Sequence, residues 1–272
     1  MTRRIGFSCG HRFWYSNRTP EENKRLFGIY ASPYNHGHNY VLDYSIRGKI
    51  NEKHGMVINI KDLDDLLLAN IFEHLNNKSL NDEIDYFFDN PPTLENFISY
   101  INKKMPPAFK EAKFDSMRLY ENPTLYAEIR MEGDTPMLTI SRVYEFCAAH
   151  TLHCKDFSPE ENRRLFGKCN NPSGHGHNYE VHIEVTGPVN PQTGMIIALD
   201  ELDKIVNEEI IERFDHKNLN TDVEEFREIN PTGEMIAKVI WQNLANKLPV
   251  QLVRVVLQET PRNFFEYSGE DE

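Results

Sequence analysis

The chain has 272 residues, 39% hydrophobic and 26% charged, the balance of a soluble globular protein with room for one large domain or two ordinary ones. A formal charge of -12 sets the whole-molecule field against phosphate backbones, so no nucleic-acid partner is expected, although a small anion needs only a local basic pocket. No apolar run nears the roughly 20 residues that span a bilayer, the opening MTRRIGFSCGHRF lacks a signal-peptide core, and Cys9, Cys147, Cys154 and Cys169 show no CxxC, so a cytoplasmic protein with reduced thiols and no membrane contact is expected.

In chain order, Ile5, Phe7, Cys9 and His11 alternate on one face of a predicted strand. PEENKRLFG follows at 20–28, HGHNY from His36, Gly55-Met56, Pro92-Thr93 and Tyr120-Glu121-Asn122-Pro123. After a joint at 131–139 the series starts again. His150 answers His11, PEENRRLFG stands at 159–167, HGHNY runs from His175, and Gly194-Met195 and Pro231-Thr232 follow, all displaced by 139 positions. The offset then slips to 138, which sets Gln258-Glu259-Thr260-Pro261 under Tyr120-Glu121-Asn122-Pro123. The period is too long for a solenoid and reads as a duplicated domain, 1–135 and 140–272.

The second copy shows the layout of both. Tyr144, Phe146, Ala148 and His150 share a strand face; a polar loop follows; then His175, His177, Tyr179, Val181, Ile183 and Val185 share another. Residues 200–214 carry Leu202, Ile205, Val206 and Ile210 at helical spacing, with Asp200 as the expected cap. A second helix at 234–248 places Ile236, Val239, Ile240, Leu244 and Leu248 on one stripe. Strands at 252–259, with Val253, Val255, Leu257 and Glu259 in phase, and at 263–267 close the copy. The class is α+β, strand-strand-helix-helix-strand-strand, twice. Four strands with helices on one face leave open sheet edges, which predicts a homo-oligomer that continues the sheet.

Residues i and i+2 of a strand point the same way, so His175 and His177 stand together, with His150 in phase on the neighbouring strand. Three imidazoles and an open fourth position suit a catalytic Zn2+, although iron, nickel or copper would also accept them. An isolated HxH is often chance, but His11, His36 and His38 repeat the spacing, whereas His54, His74, His153, His182 and His216 have no counterpart.

LFGKCNNPSGHGHNYEV, Asp215-His216 ahead of Lys217-Asn218-Leu219-Asn220, and the closing Glu259-Thr260 resemble the 6-pyruvoyl-tetrahydropterin synthase family, which includes 6-carboxytetrahydropterin synthase of queuosine biosynthesis. The resemblance implies the tunnelling fold, with sheets joined into an oligomeric barrel, sites between subunits, and a pterin triphosphate substrate, 7,8-dihydroneopterin triphosphate. Carried over, it makes His150, His175 and His177 zinc ligands, Cys169 the general base, Asp215 and His216 a proton relay, and Glu259 the pterin anchor, with Thr232 and Glu234 near the pterin. A cation near Cys169, Lys168 or the metal, is expected to lower its pKa. Taken singly, Cys169 also suits a structural thiol, Asp215-His216 a helix end, Glu259 a solvated strand end, and Lys24, Arg25, Arg163 and Arg164 a solvated face.

The first copy departs from the pattern. Tyr30 stands where the second has Cys169, and Asn76-Asn77 where it has Asp215-His216, while His11, His36, His38, Thr93, Glu95 and Glu121 remain. It is expected to bind metal without turning over substrate, since an ordinary tyrosine titrates near 10. The leading expectation is a zinc-dependent lyase forming 6-pyruvoyl-tetrahydropterin with loss of triphosphate, the five residues between Cys169 and His175 favouring it over the carboxy enzyme, a carbon-carbon lyase. The alternative of another class is a non-catalytic metal- and pterin-binding scaffold.

Overall fold

The computed structural model describes residues 1–106 and 109–269, so the last three positions of the expected 140–272 domain lie outside it. Two compact units emerge: Met1–Ser141 with Thr186–Ala198, and Arg142–Val185 with Leu199–Glu272. The segment Thr186–Ala198, second-copy sequence, therefore packs with the first unit.

In the first unit, strands β1 (Thr2–His11), β2 (His36–Gly48), β4 (Ala112–Asn122) and β5 (Leu125–Glu132) give the order β5-β4-β2-β1, with the two-residue β3 (Lys78–Ser79) parallel on β1. Next to β5 lies the beginning of β6 (Thr135–His150). The second unit takes the rest of β6 with β7 (His175–Thr186), β9 (Gln251–Thr260) and β10 (Asn263–Tyr267), in the order β10-β9-β7-β6, and the two-residue β8 (Lys217–Asn218) parallel on β6. The expected order of strands and long helices holds in both copies. Alternation decides which face is buried: Phe7, Cys9 and His11 on β1, Tyr40, Leu42 and Tyr44 on β2, and Tyr179, Val181, Ile183 and Val185 on β7 all turn inward.

Helices cover that face. Helix α2 (Ile60–Leu67) runs through a π turn at Leu68–Phe72 into Glu73–Leu75, burying Leu63, Leu67, Ile71 and Leu75; α3 (Leu94–Lys104) buries Phe97, Ile98 and Ile101 against β4 and β5. In the second unit α5 (Leu199–Val206) passes through a π turn at Asn207–Ile211 into Glu212–Phe214, and α6 (Gly233–Ala245) packs on β9 and β10. Each fully buried aliphatic or aromatic side chain of these stripes contributes about 1.5–3 kcal/mol.

Three expectations are corrected. The polar loops hold helices α1 (Pro20–Phe27) and α4 (Pro159–Phe166), each begun by a capping box, Thr19 with Glu22 and Ser158 with Glu161, and by proline in the first turn. Asp200 lies inside the first turn of α5, one residue past its start, because the apolar stripe begins at Leu199. Leu248 lies past the end of α6 at Ala245, still buried.

Candidate metal centres and active site

In the first unit β1 and β2 are antiparallel with His11 directly opposite His36 and Cys9 opposite His38, so the three imidazoles emerge on one side of one pair of strands. Their ring centroids stand 4.6 to 5.0 Å apart. The second unit repeats this with His150, His175 and His177, at 4.6 to 5.3 Å. The glycine inside each HGH is a packing requirement: a Cβ on Gly37 would stand 3.2 Å from the Cys9 carbonyl oxygen, and one on Gly176 3.1 Å from that of Ala148.

Both triads fit a metal. In each, the three candidate donor atoms lie within 4.8 Å of one another. His11 Nδ1 is 3.0 Å from the Pro92 carbonyl and His150 Nδ1 2.8 Å from that of Pro231. A carbonyl only accepts, so each Nδ1 carries the hydrogen and Nε2 keeps its lone pair. His11 Nε2 and His38 Nε2 are buried without a hydrogen-bond partner, and His150 Nε2 faces His175 Nε2 at 3.2 Å. Burial is the main cause lowering the pKa of His11, to about 3, and those of His38, His150 and His177, which favours the neutral, metal-binding form.

Glu259 belongs to the second centre. Its Oε1 lies 3.8 Å from His150 Nε2 and 3.9 Å from His177 Nε2, and its Oε2 accepts from Asn263 Nδ2 at 3.1 Å. Glu121 holds the matching place in the first, 3.9 Å from His38 Nε2. Cys169 sits in the 3-10 turn Gly167–Asn170 after α4, tied to the end of β6 because its carbonyl accepts from Leu152 N–H at 2.9 Å and Thr151 Oγ1 at 3.3 Å. Burial, then the charge of Glu259, pushes its thiol pKa up; the exposed Lys168 does not bring the expected lowering. Lys24, Arg25, Arg163 and Arg164 are exposed, as a solvated face would be.

Asp215 and His216 lie elsewhere. Asp215 Oδ1 accepts from Cys147 N–H at 2.7 Å, Oδ2 pairs with His216 Nδ1 at 2.8 Å, and the His216 N–H donates to the Cys147 carbonyl at 2.6 Å. His216, 82% exposed, lines a hollow of about 480 Å³ with Cys147, Ala149, Gly176 and Asn178, strand positions that alternate with the metal-facing ones, and with His177 of the triad. Within the second unit the pair and Cys169 are thus not gathered at one point. The first copy separates the pair's two duties. Asn76 Oδ1 accepts from Ser8 N–H at 3.0 Å and Asn77 N–H donates to the Ser8 carbonyl at 2.7 Å, so the clasp on the strand survives without the imidazole. Both Asn77 and His216 have positive φ, 61° and 56°, a conformation that asparagine tolerates and histidine adopts at some cost. Thr232 caps α6 by accepting from Met235 N–H at 3.4 Å, and Glu234 in its first turn is exposed.

The duplicated asparagine of the PEEN motif has a role that sequence reasoning missed, although its recurrence marks it. Asn162 is buried; its Nδ2 donates to the carbonyls of Cys154, Phe157 and Ser158, and its Oδ1 accepts from Cys154 N–H at 2.8 Å, pinning the turn that leads to Cys169. Asn23 does the same in the first copy. There Tyr30 packs on Phe13, Phe27 and Met195.

Comparison with known proteins agrees with this geometry. The family model for 6-pyruvoyl tetrahydropterin synthase matches twice, over residues 1–132 and 139–270. The human 6-pyruvoyl tetrahydrobiopterin synthase is 48% identical over 132 residues, 48% of this chain and 91% of that protein. The 6-carboxy-5,6,7,8-tetrahydropterin synthase of Rickettsia conorii is 32% identical over 146 residues, 47% of this chain and 97% of that protein. A solved Caenorhabditis elegans 6-pyruvoyl tetrahydropterin synthase is 39% identical, covering 50% of this chain and 98% of its own, with a TM-score of 0.48. No described helix is long and apolar enough to cross a membrane. The chain belongs to the 6-pyruvoyl tetrahydropterin synthase family, as two tandem copies of its fold.

Proposed function

We propose that the second repeat is a zinc-dependent lyase that converts 7,8-dihydroneopterin triphosphate to 6-pyruvoyl-tetrahydropterin and triphosphate, and that the first repeat binds metal without turnover. The observation carrying this reading is that Glu259 lies against the His150, His175 and His177 triad, with Cys169 close enough to feel its charge, while the first repeat has Tyr30 in place of the thiol. His150, His175 and His177 would hold the metal, and His11, His36 and His38 a second ion. Such a metal would supply Lewis acidity that makes the C–H bond beside the hydroxyls of the substrate side chain easier to deprotonate.

The chain's residues supply the rest. Glu259 accepts from the guanidine-like edge of the pterin, a charge-assisted contact that orients the ring. Cys169, as thiolate, takes the acidified proton. Asp215 holds His216 in one tautomer, so that the ring returns a proton as triphosphate departs. Because Asp215-His216 lies away from Cys169 within one unit, the relay meets its substrate in an assembled homo-oligomer whose sites lie between copies. Thr232 and Glu234 border the pterin. The chain acts in the cytoplasm as domains 1–135 and 140–272.

The test is incubation of metal-analysed protein with 7,8-dihydroneopterin triphosphate, with products identified by mass spectrometry. A pyruvoyl-pterin is expected. A carboxy-pterin with acetaldehyde would transfer the assignment to the reaction named for the Rickettsia relative. Bound zinc with neither product would leave a binding scaffold.

A further inference from the structure

Beside the first metal centre, and wholly within the first unit, lies a cavity of about 450 Å³, a size usual for small-molecule sites. Pro92 forms part of its wall while the Pro92 carbonyl accepts from His11, but none of the triad lines it. Trp14, Tyr15 and Phe88 supply flat walls, and Phe88 is 54% exposed. Pro191 and Gln192 complete the lining. Their segment is held in place, because the Tyr15 hydroxyl donates to the Gln192 carbonyl at 3.0 Å and Ile196 N–H donates to Glu95 Oε1 at 2.9 Å.

The charged groups of this cavity are of two kinds, engaged and free. Arg12 is held by Asp82, at 2.6 and 2.8 Å, and by Asn35 at 2.9 Å. Arg18 lies over the Tyr15 ring, 5.1 Å from its centroid, with no carboxylate in ion-pair reach among the described residues. Asp89 has no ion-pair partner among them either. Burial raises the Tyr15 pKa; beyond that, Arg18 lowers it and Asp89 raises it, so both charges stand near that ring.

The second copy shows that the repeated framework does not require these residues. The offset of 139 sets His153, Cys154, Phe157 and Arg227 under Trp14, Tyr15, Arg18 and Phe88. Lys155 and Glu228, the twins of Ser16 and Asp89, form an ion pair at 3.0 Å. In the first copy serine stands in place of that lysine, which leaves Asp89 without the partner its twin has. The strands and capped helices are common to both copies, whereas the aromatic walls and the free guanidinium belong to the first alone.

We propose that this cavity binds a small anion with a flat ring system, of the chemistry of a purine nucleoside 5′-phosphate. The ring stacks among Trp14, Tyr15 and Phe88. The phosphate takes the free guanidinium of Arg18, and an amino or ring N–H of the base donates to Asp89. A ring without an anion leaves Arg18 unmet, and phosphate alone leaves the aromatic walls bare. The site is independent of the lyase reading, since it uses none of the residues given a role there.

The chain has two tryptophans, and in the full chain carrying Trp241→Phe only Trp14 remains, so its fluorescence reads the cavity. AMP and GMP are titrated into that variant, with adenosine and inorganic phosphate as partial ligands. Both nucleotides are expected to quench Trp14 saturably, and each partial ligand to bind about tenfold or more weakly. Arg18→Ala is expected to raise the dissociation constant about tenfold or more, the loss of a charge-assisted contact. Ser16→Lys, which rebuilds the second copy's ion pair with Asp89, is expected to weaken binding about threefold or more. Circular dichroism verifies folding, and calorimetry repeats the comparison on the chain with both tryptophans. Trp14 left unquenched at millimolar nucleotide overturns the proposal. So does nucleotide binding that Arg18→Ala leaves unchanged, which would put the ligand elsewhere, or adenosine binding as tightly as AMP, which would remove the phosphate from recognition.

Discussion

Cys169 and His216 show how a side chain's environment sets its task. The thiol is pushed up by burial and by Glu259, so at neutral pH the protein alone holds it largely protonated. His216 sits at positive φ with its ring in solvent, a placement that packing does not require, since Asn77 forms the same clasp. Replacing His216 by Asn is therefore expected to leave the melting temperature nearly unchanged and to lower kcat by about 10²–10⁴-fold; equal losses of stability and rate would make the residue structural. Asn162→Ala is expected to behave oppositely, lowering stability by about 1–3 kcal/mol in a denaturant titration because several buried backbone groups lose their partner. The triads were legible residue by residue, because a strand's period of two fixes which histidines converge. The setting of Cys169 was not, because Glu259 is 90 residues away in the chain and only the sheet brings its charge near.

At the scale of elements, the long helices and all eight principal strands could be read from periodicity. The helices at Pro20–Phe27 and Pro159–Phe166 could not, since their exposed, charged faces carry no apolar stripe. Their signal lay in the caps, T-P-E-E and S-P-E-E. Helix α3 carries a buried acid whose titration bears on stability. Glu95 has its pKa raised by burial to about 7, so the protonated form is favoured on folding. The stability it contributes is fully present below the ordinary glutamate pKa near 4.5 and is lost as pH rises through about 7. Thermal unfolding followed from pH 5 to 8 is expected to show this decline, and Glu95→Gln, which keeps an acceptor for Ile196 N–H, is expected to flatten it; an identical slope in the variant would locate the titration elsewhere.

For the whole molecule, the duplication was the clearest message of the sequence, and it foretold two histidine triads that could each hold a metal. It could not foretell that Thr186–Ala198 would pack with the first unit. Glu95 and Glu234 are twins in sequence, and burial separates them: a repeat specifies which surfaces are alike and is silent on which of them is covered. Two metal ions per chain are expected by elemental analysis, falling to one in His175→Ala and one in His36→Ala. Turnover is expected to vanish only in the former, because the first centre has Tyr30 where the second has its thiol.

In this reading one repeat carries the chemistry. Its most direct test is the rate of triphosphate release from 7,8-dihydroneopterin triphosphate by Cys169→Ala, compared with the intact chain at equal metal content. Loss of the general base predicts a fall of at least about a hundredfold with both metals retained. A rate within a few-fold of the intact chain would mean that Cys169 is a structural thiol and that the proton is taken elsewhere.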